Sequence, residues 1–526
     1  MSLHGGERRY DRELRRNSVM SALGGAGKLL HLLLVFLLTW LFGSEVVGPF
    51  LLGFFLLEMA TTAVSNAWSD AATIYASHHV EGADADDGQR AALYGVLGTT
   101  GAFACGLALA LALATQLFGR LLVEAAFPTY AELLPGLYFL AWSLVPAAWS
   151  EVAVGALKAA FRMEWDALIN GLVKPVGLIA TSFFVWAVGG GLTALLACFL
   201  IVQTAAAILV LFPLARHFDL RRLVQAVLRP RLDRRVLGFA GPQSLNLVLN
   251  RYVTRVDTLM LAGFGFGAVS VAWYGTAALL IGNLRQLRVV FSTAIAPIAA
   301  RYYATNDREA ASQLLGRTSR WIATVAAPIA FAFVVLRDDV MVLLDDAYGA
   351  GDSAFVAVLV LPALVGVVIG LAGNLITYAG RSRWNLLNSV VVGVGNTLLN
   401  LLLIPRWGMM GAATATTLAV TGTSLLQLAE CRWLDGVRLR WRELWQPVAG
   451  MAALALLLLV WWDPARELAL PGRVALAAGG AAGFLLLMVP LRHPEARSVL
   501  RRLQSAAPHP ASAPEGNDPE NGSGSG

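Results

Sequence analysis

Apolar residues gather along this chain in fourteen runs, near 19–42, 46–76, 91–117, 132–156, 167–188, 192–215, 238–262, 267–299, 319–336, 354–378, 384–404, 408–430, 446–462 and 472–490. A helix needs about 17 to 25 residues to cross a hydrocarbon core of about 30 Å, so each run can span a bilayer. The second and eighth runs exceed one crossing and extend beyond the bilayer on one side. None shows the ten-residue alternation of an outer-membrane barrel. Helices satisfy their own backbone in hydrocarbon and are therefore the spanning elements. The pattern predicts an all-α integral membrane protein with about fourteen transmembrane helices. A basic arm (1–18) precedes the first run, and the segment 491–526, rich in Pro, Ser, Gly and acids, is expected to form a disordered tail.

Composition agrees with the pattern: 57% of residues are hydrophobic, 14% are charged and the mean hydropathy is +0.63. Soluble chains average about 25% charged residues. The three cysteines, Cys105, Cys198 and Cys431, lie in or beside apolar runs, which argues against a disulfide framework or a thiolate metal site. No metal ligand cluster, phosphate-binding glycine loop or nucleophile elbow occurs, so no enzyme chemistry and no cofactor are expected. Five arginines precede the first run without a small-residue cleavage site after it, which favours a retained first helix over a signal peptide.

Charge sets the orientation. With the N-terminus inside, and with Arg320 and Arg473 at the edges of their runs counted with the adjoining loops, 29 of the 40 basic residues fall on the inner side, 5 fall outside and 6 lie within spans. Cytoplasmic loops carry the excess of Arg and Lys. An even number of spans with both termini cytoplasmic follows. The outer loop after the ninth span is acidic (Asp338, Asp339, Asp345, Asp346, Asp352) and is expected to be solvated, not a calcium site.

The chain also repeats itself. "RMEWDALINGLVKPVG" from Arg162 parallels "RSRWNLLNSVVVGVG" from Arg381, and at an offset of 218 Asn170 meets Asn388, Gly177 meets Gly395 and Gly190 meets Gly408. That offset equals six spans, an even number, so the two halves share one topology and are related by an axis along the membrane normal. The expected organisation is a first lobe (19–215), an Arg-rich cytoplasmic linker (216–237), a second lobe (238–430) and two appended helices (446–490). Two pseudo-symmetric lobes suit alternating access to a substrate held between them.

Three segments carry a family resemblance. "NLLLIPRWGMMGAATATTLAVTG" (Asn400 to Gly422), "RVDTLMLAGFGFGAVSVAWYG" (Arg255 to Gly275) and "STAIAPIAARYYATNDREAASQLL" (Ser292 to Leu315) resemble bacterial polysaccharide flippases of the multidrug/oligosaccharidyl-lipid/polysaccharide exporter superfamily. The resemblance is strongest from about Arg251 to Leu428; the first half departs from it, with Asp70 where such chains often carry a basic residue. It implies movement of undecaprenyl-diphosphate-linked oligosaccharide units from the cytoplasmic to the periplasmic leaflet of the bacterial inner membrane, for O-antigen, capsule or exopolysaccharide synthesis. The implied partners are the lipid-linked glycan, the bilayer, and the polymerase and chain-length machinery of the same pathway, with no nucleic acid and a monomer as the working unit.

Independently of family, ionisable residues at membrane depth mark function. Arg251 and Arg255 share one face of the seventh span at i,i+4, Arg285 and Arg288 share one face of the eighth, and Lys28 lies in the first. Four centred arginines cost roughly 10 to 14 kcal/mol on insertion scales, so they must meet water, acids or an anionic ligand. A cationic cavity for a diphosphate headgroup is the functional expectation, because the Arg fork matches phosphate oxygens. Pairing of Arg255 or Arg288 with Glu58 or Asp257 is the structural one. Glu58 and Asp257 are also candidates for proton or sodium coupling, and Asn246, Asn250, Asn283 and Gln286 for sugar contacts. Lys174, near the inner end of the fifth span, is expected to snorkel to the interface. The membrane potential alone biases export, at about 2.3 kcal/mol per charge per 100 mV. The rivals are a lipid II flippase of the same superfamily, a cation-coupled multidrug antiporter (whose cavity should favour acids) and, from another class, a membrane polymerase or acyltransferase. The last lacks a large outer loop and a His-centred site.

Overall fold

The computed structural model describes residues 3–80, 87–344, 353–379 and 381–488, and these contain helices and no strand. The first half comprises α1 (Leu3–Thr61), α2 (Ala67–Val80), α3 (Asp87–Ala126), α4 (Leu133–Ala159), α5 (Glu164–Leu168), α6 (Lys174–Ala187) and α7 (Leu192–His217). A short helix, α8 (Leu220–Leu228), leads into α9 (Arg234–Gly263), α10 (Ala268–Gly282), α11 (Arg285–Ala304) and α12 (Arg308–Val335). Then follow α13 (Arg337–Leu344), α14 (Ala354–Val368), α15 (Leu371–Tyr378), α16 (Ser382–Asp435), α17 (Trp441–Glu467) and α18 (Leu470–Met488). All fourteen apolar runs lie in helical segments as far as the described residues reach. Eight helical stretches are apolar and long enough to cross a membrane by length and composition alone. The run in α9 carries Arg251, Arg255 and Asp257, and that in α10–α11 carries Arg285 and Arg288; these charges depress their hydropathy without removing the helix. Below, the end of the bundle that carries the basic loops is called the inner end. The predicted tail, the basic arm's side chains, Asp345, Asp346 and Asp352 lie outside the described residues.

Two glycines turn the chain back on itself inside what is otherwise continuous helix. Gly43 (φ +74°) divides α1 between the first and second runs, and Gly408 (φ +54°) divides α16 between the eleventh and twelfth. Both φ values lie in the left-handed region that glycine enters without a Cβ penalty. Four other spans bend within the membrane. The second and fifth contain one π-helical turn each, Thr62–Asn66 and Ile169–Val173. The eighth breaks at Asn283–Leu284 and the tenth at Ile369–Gly370. At the first of these breaks the backbone re-bonds in tight three-residue steps: the Asn283 and Leu284 amides donate to Leu280 and Ile281, and those of Gln286 and Leu287 to Asn283 and Leu284. Irregular backbone survives at membrane depth only where such partners exist.

Packing joins the halves. One core cluster runs from Leu38, Leu51 and Phe55 through Leu140 and Leu196 to Tyr274 and Phe355, all buried. Glycines allow the closest approaches: a Cβ on Gly53 would stand 3.0 Å from Leu140 Cδ1, and one on Gly48 would land on the Ala268 carbonyl oxygen. Small residues at such crossings are how membrane helices gain van der Waals contact, lipid being as apolar as leucine. A separate cluster of Phe331, Leu454, Ala477 and Phe484 fastens α17 and α18 to α12. Outward, Leu117, Phe184, Ile208 and Leu402 expose 76%, 66%, 63% and 58% of their surface, as a lipid-facing belt requires.

The Gly48–Ala268 approach closes the seam at the outer end, where the Tyr130 hydroxyl also donates to the Phe266 carbonyl at 2.6 Å. At the inner end, Tyr75 meets Phe239 edge-on at 6.1 Å. Gly48→Val should therefore wedge the outer seam open. With Cys105, Cys198 and Cys431 replaced, a Val271→Cys probe is expected to react with a water-soluble maleimide about tenfold faster in Gly48→Val, equal to a shift of about 1.4 kcal/mol in the closed–open balance. An unchanged rate would show that this contact does not hold the seam.

Candidate functional site

Arg251 and Arg255 occupy one face of α9, and a single acid from the first half answers both. Arg251 Nη1 lies 2.8 Å from Glu58 Oε1, and Arg255 Nε donates to Glu58 Oε2 at 2.9 Å. The Arg255 guanidinium also stacks over the Phe55 ring, 4.4 Å from its centroid. Arg255 is thus fully engaged, with a side chain 12% exposed, whereas Arg251 is 44% exposed and has donors to spare. Two guanidiniums sharing one carboxylate leave a net positive charge at this crossing. The sequence-based pairing of Arg255 with Glu58 is what the geometry has; it extends to Arg251.

Beside this clamp lies a cavity of ≈ 210 Å³ lined by Arg251, Arg255, Asp257, Asn283, Arg285 and Gln286, with an apolar wall from α14. Arg285 stands at the start of α11, just past the break in the eighth span. Among the described residues no carboxylate lies within ion-pair distance of Arg285. Asn283 spends its amide on the Leu279 carbonyl at 2.9 Å, leaving its side-chain oxygen to the cavity.

Arg288 goes elsewhere. Its Nη1 donates to the carbonyls of Gly366 and Gly370, at 3.2 and 3.4 Å, across the break in the tenth span. A side chain at Gly370 would collide with that guanidinium. Arg288 thus supplies donors to carbonyls that an unbroken helix would have bonded itself. It does not line the cavity.

Asp257 is buried behind the cavity and receives four donors. Asn396 Nδ2 donates to it at 2.8 Å, Asn400 Nδ2 at 2.7 Å and the Tyr274 hydroxyl at 3.2 Å, and Thr416 Oγ1 completes the set. Asn396 and Asn400 sit at i,i+4 on α16, so one helix face carries both. This cluster was not singled out from sequence; two asparagines at helical spacing in an apolar run were its only trace. Among the described residues no group of three or more His, Cys, Asp or Glu could hold a metal ion. The oxygens of Asp257, Asn396, Asn400 and Thr416 are nevertheless of the kind hard cations take. Asn400 Oδ1 is buried without a partner, the sort of orphaned acceptor such an ion would satisfy.

The remaining candidates divide. Asn246 and Asn250 bond to each other along α9, Asn250 Nδ2 to Asn246 Oδ1 at 3.2 Å, and do not reach the cavity. The Lys28 side chain lies outside the described residues. Lys174 corrects the expectation that it snorkels: it is buried, 8% exposed, with Nζ 2.7 Å from Glu151 Oε1. Asn170 donates to the other oxygen of Glu151 at 3.3 Å. A nearby acid within the first half removes the need to reach the interface. Asn388, the repeat partner of Asn170, likewise donates to a glutamate, Glu430, at 2.7 Å.

No protein-family profile and no curated protein matches this sequence. Solved structures do. A lipid II flippase, MurJ, in an inward closed conformation is 14% identical, with a TM-score of 0.68 over 90% of this chain and 100% of that one. An inward-facing multidrug resistance transporter of the MATE family, in the multidrug/oligosaccharidyl-lipid/polysaccharide superfamily, is 12% identical, with a TM-score of 0.63 over 78% of this chain and 94% of that one. The MATE transporter DinF-BH in complex with R6G is 16% identical, with a TM-score of 0.55 over 81% and 97%. The chain has the fold of these transporters and is a multi-pass membrane protein.

Proposed function

We propose that this chain is a flippase that carries undecaprenyl-diphosphate-linked oligosaccharide units across the bacterial inner membrane by alternating access. The observation that carries the proposal is the cavity of the second half, beside the crossing to Glu58 of the first, where the lining Arg251, Arg255 and Arg285 outnumber Asp257 and the adjacent Glu58. Its ≈ 210 Å³ is enough for a diphosphate and too little for an oligosaccharide. The sugar therefore stays outside this pocket, and the recognised group is the part common to all such carriers. Arg285 and the spare donors of Arg251 meet phosphate oxygens through the guanidinium fork. A diphosphate at Arg251 competes with Glu58, the contact that ties α1 to α9, so binding loosens the crossing along which the halves must move. Ligands shift such equilibria only through contacts that differ between states; this exchange is one.

A lipid II flippase is the second reading. The structural match to MurJ covers 90% of the chain, against 81% for DinF-BH, and lipid II bears the same diphosphate. A cationic drug would meet three arginines against one lining carboxylate, Asp257, and so a net repulsion. The test is binding by the purified protein: undecaprenyl diphosphate should bind about tenfold or more tighter than undecaprenyl monophosphate, since each added charge-assisted contact is worth about 1.5–3 kcal/mol. Equal affinity for the two, or preference for a lipophilic cation, would overturn the proposal.

A further inference from the structure

A second cavity, of ≈ 550 Å³, opens at the inner end of the first half, lined by His79, Arg90, Tyr94, Arg162, His217 and Arg222 among others. The second half holds its repeat counterpart, of ≈ 200 Å³. The offset of 218 that relates the halves carries Arg90 to Arg308, Tyr94 to Ser312 and His217 to Asp435, and one residue more carries Arg162 to Arg381. The construction matches in detail. The Asp219 amide donates to the Tyr94 hydroxyl at 2.8 Å, and the Arg438 amide donates to the Ser312 hydroxyl at 3.0 Å.

The halves differ in charge. In the second, Arg381 Nη2 lies 3.0 Å from Asp435 Oδ1, and the lining arginines Arg308 and Arg381 are matched by Asp307 and Asp435. In the first, His217 stands where Asp435 would be, so three lining arginines face one acid, Asp219. That acid is committed: Asp219 Oδ1 accepts the Arg221 and Arg222 amides at 2.9 and 3.2 Å and caps α8, and its other oxygen lies 3.5 Å from Arg222 Nε. Glu164 lies only loosely against Arg162, at 3.6 Å. Among the residues whose side chains are described, none places a carboxylate within 4.0 Å of Arg90.

The rim is apolar. Phe161, between the lining residues Ala160 and Arg162, holds φ at +58° and is 57% exposed. A left-handed phenylalanine costs roughly 1–2 kcal/mol, and here the exposed ring belongs to the residue between two that line the cavity. Phe212 and Leu228, 54% and 76% exposed, border the same end. Guanidiniums at an apolar edge are what an anionic lipid headgroup meets at the cytoplasmic surface.

We propose that the cavity formed by Arg90, Arg162 and Arg222 binds a phosphate-bearing headgroup at the inner membrane surface, separately from the central cavity, and that its repeat counterpart, neutralised by Asp435, does not. Native mass spectrometry of the full-length protein in neutral detergent tests this, with added phosphatidylglycerol, phosphatidylcholine or inorganic phosphate. Phosphatidylglycerol adducts should exceed phosphatidylcholine adducts and fall at least about fivefold in Arg90→Gln/Arg222→Gln, a loss of about 1 kcal/mol. Arg308→Gln should retain them. Should the double variant fail to fold, Arg222→Gln on the exposed α8 carries the same comparison. Adducts with inorganic phosphate alone, lost in the same variants, would assign the site to a soluble phosphate. Equal retention of both lipids with no phosphate adduct, or wild-type retention in the variants, would overturn the proposal.

Discussion

Replacing Arg285 with alanine is expected to leave a folded, inserted protein that no longer exports its substrate. Arg285 lines the central cavity, and no carboxylate among the described residues is bound to it, so truncation leaves no buried acid without its partner. Substitutions of that kind usually cost no more than about 1 kcal/mol of stability. The functional cost is larger. Two charge-assisted contacts to phosphate, at about 1.5–3 kcal/mol each, correspond to roughly 10²- to 10⁴-fold in transport. Arg255→Ala should behave differently, since Arg255 is tied to Glu58 and stacked on Phe55. Its loss removes one of the two guanidiniums on Glu58 and should lower the melting temperature together with activity. Surface-polysaccharide production in cells and thermal unfolding of the purified variants separate the two outcomes. Full production by Arg251→Ala/Arg285→Ala would sink the cavity as the binding site.

Asp257 carries the second large effect, and two substitutions divide its roles. Asp257→Ala removes the acceptor that Asn396, Asn400, Tyr274 and Thr416 share, from three different spans. Each buried donor left unsatisfied costs about 1–3 kcal/mol, so destabilisation by several kcal/mol is expected even after partial relaxation. Asp257→Asn keeps the volume and offers one oxygen, and should fold. If a sodium ion or proton couples at this cluster, the Asn variant retains substrate binding but its transport no longer responds to an imposed ion gradient. A gradient response equal to wild type would remove Asp257 from coupling.

Local pattern made much of the bundle legible. Hydrophobic run length located the helices, and the breaks between runs 1 and 2 and between runs 11 and 12 fall at Gly43 and Gly408, where the backbone enters the left-handed region. At the Asn283–Leu284 break the polar residues Asn283, Arg285 and Gln286 read as a cavity face and not as a break, and the break at Ile369–Gly370 was not legible, because hydropathy is continuous through it. What marks the second is Arg288, which reads as a cavity residue until its carbonyl partners 78 and 82 positions away are seen. The same limit explains Lys174. Its partner Glu151 is 23 residues distant on another helix, and spacing within one helix says nothing of that. The clamp was half legible: i,i+4 spacing put Arg251 and Arg255 on one face, but that Glu58, 197 positions from Arg255, answers both depends on how α1 crosses α9. The repeat told more than the resemblance did. It related two cavities that the structure places at the inner end, and the departure of His217 from Asp435 distinguishes them.

Translocation by the purified protein in liposomes is the most direct test of the proposed function. A fluorescent undecaprenyl-diphosphate-linked disaccharide is placed in the inner leaflet, and its appearance outside is followed with a membrane-impermeant quencher. A potential of 100 mV, negative inside, is worth about 2.3 kcal/mol per charge and roughly twice that for two. The expected result is outward movement faster than in empty liposomes, accelerated by that potential and abolished by Arg285→Ala. Movement no faster than in empty liposomes, or movement indifferent to Arg285→Ala, would contradict it.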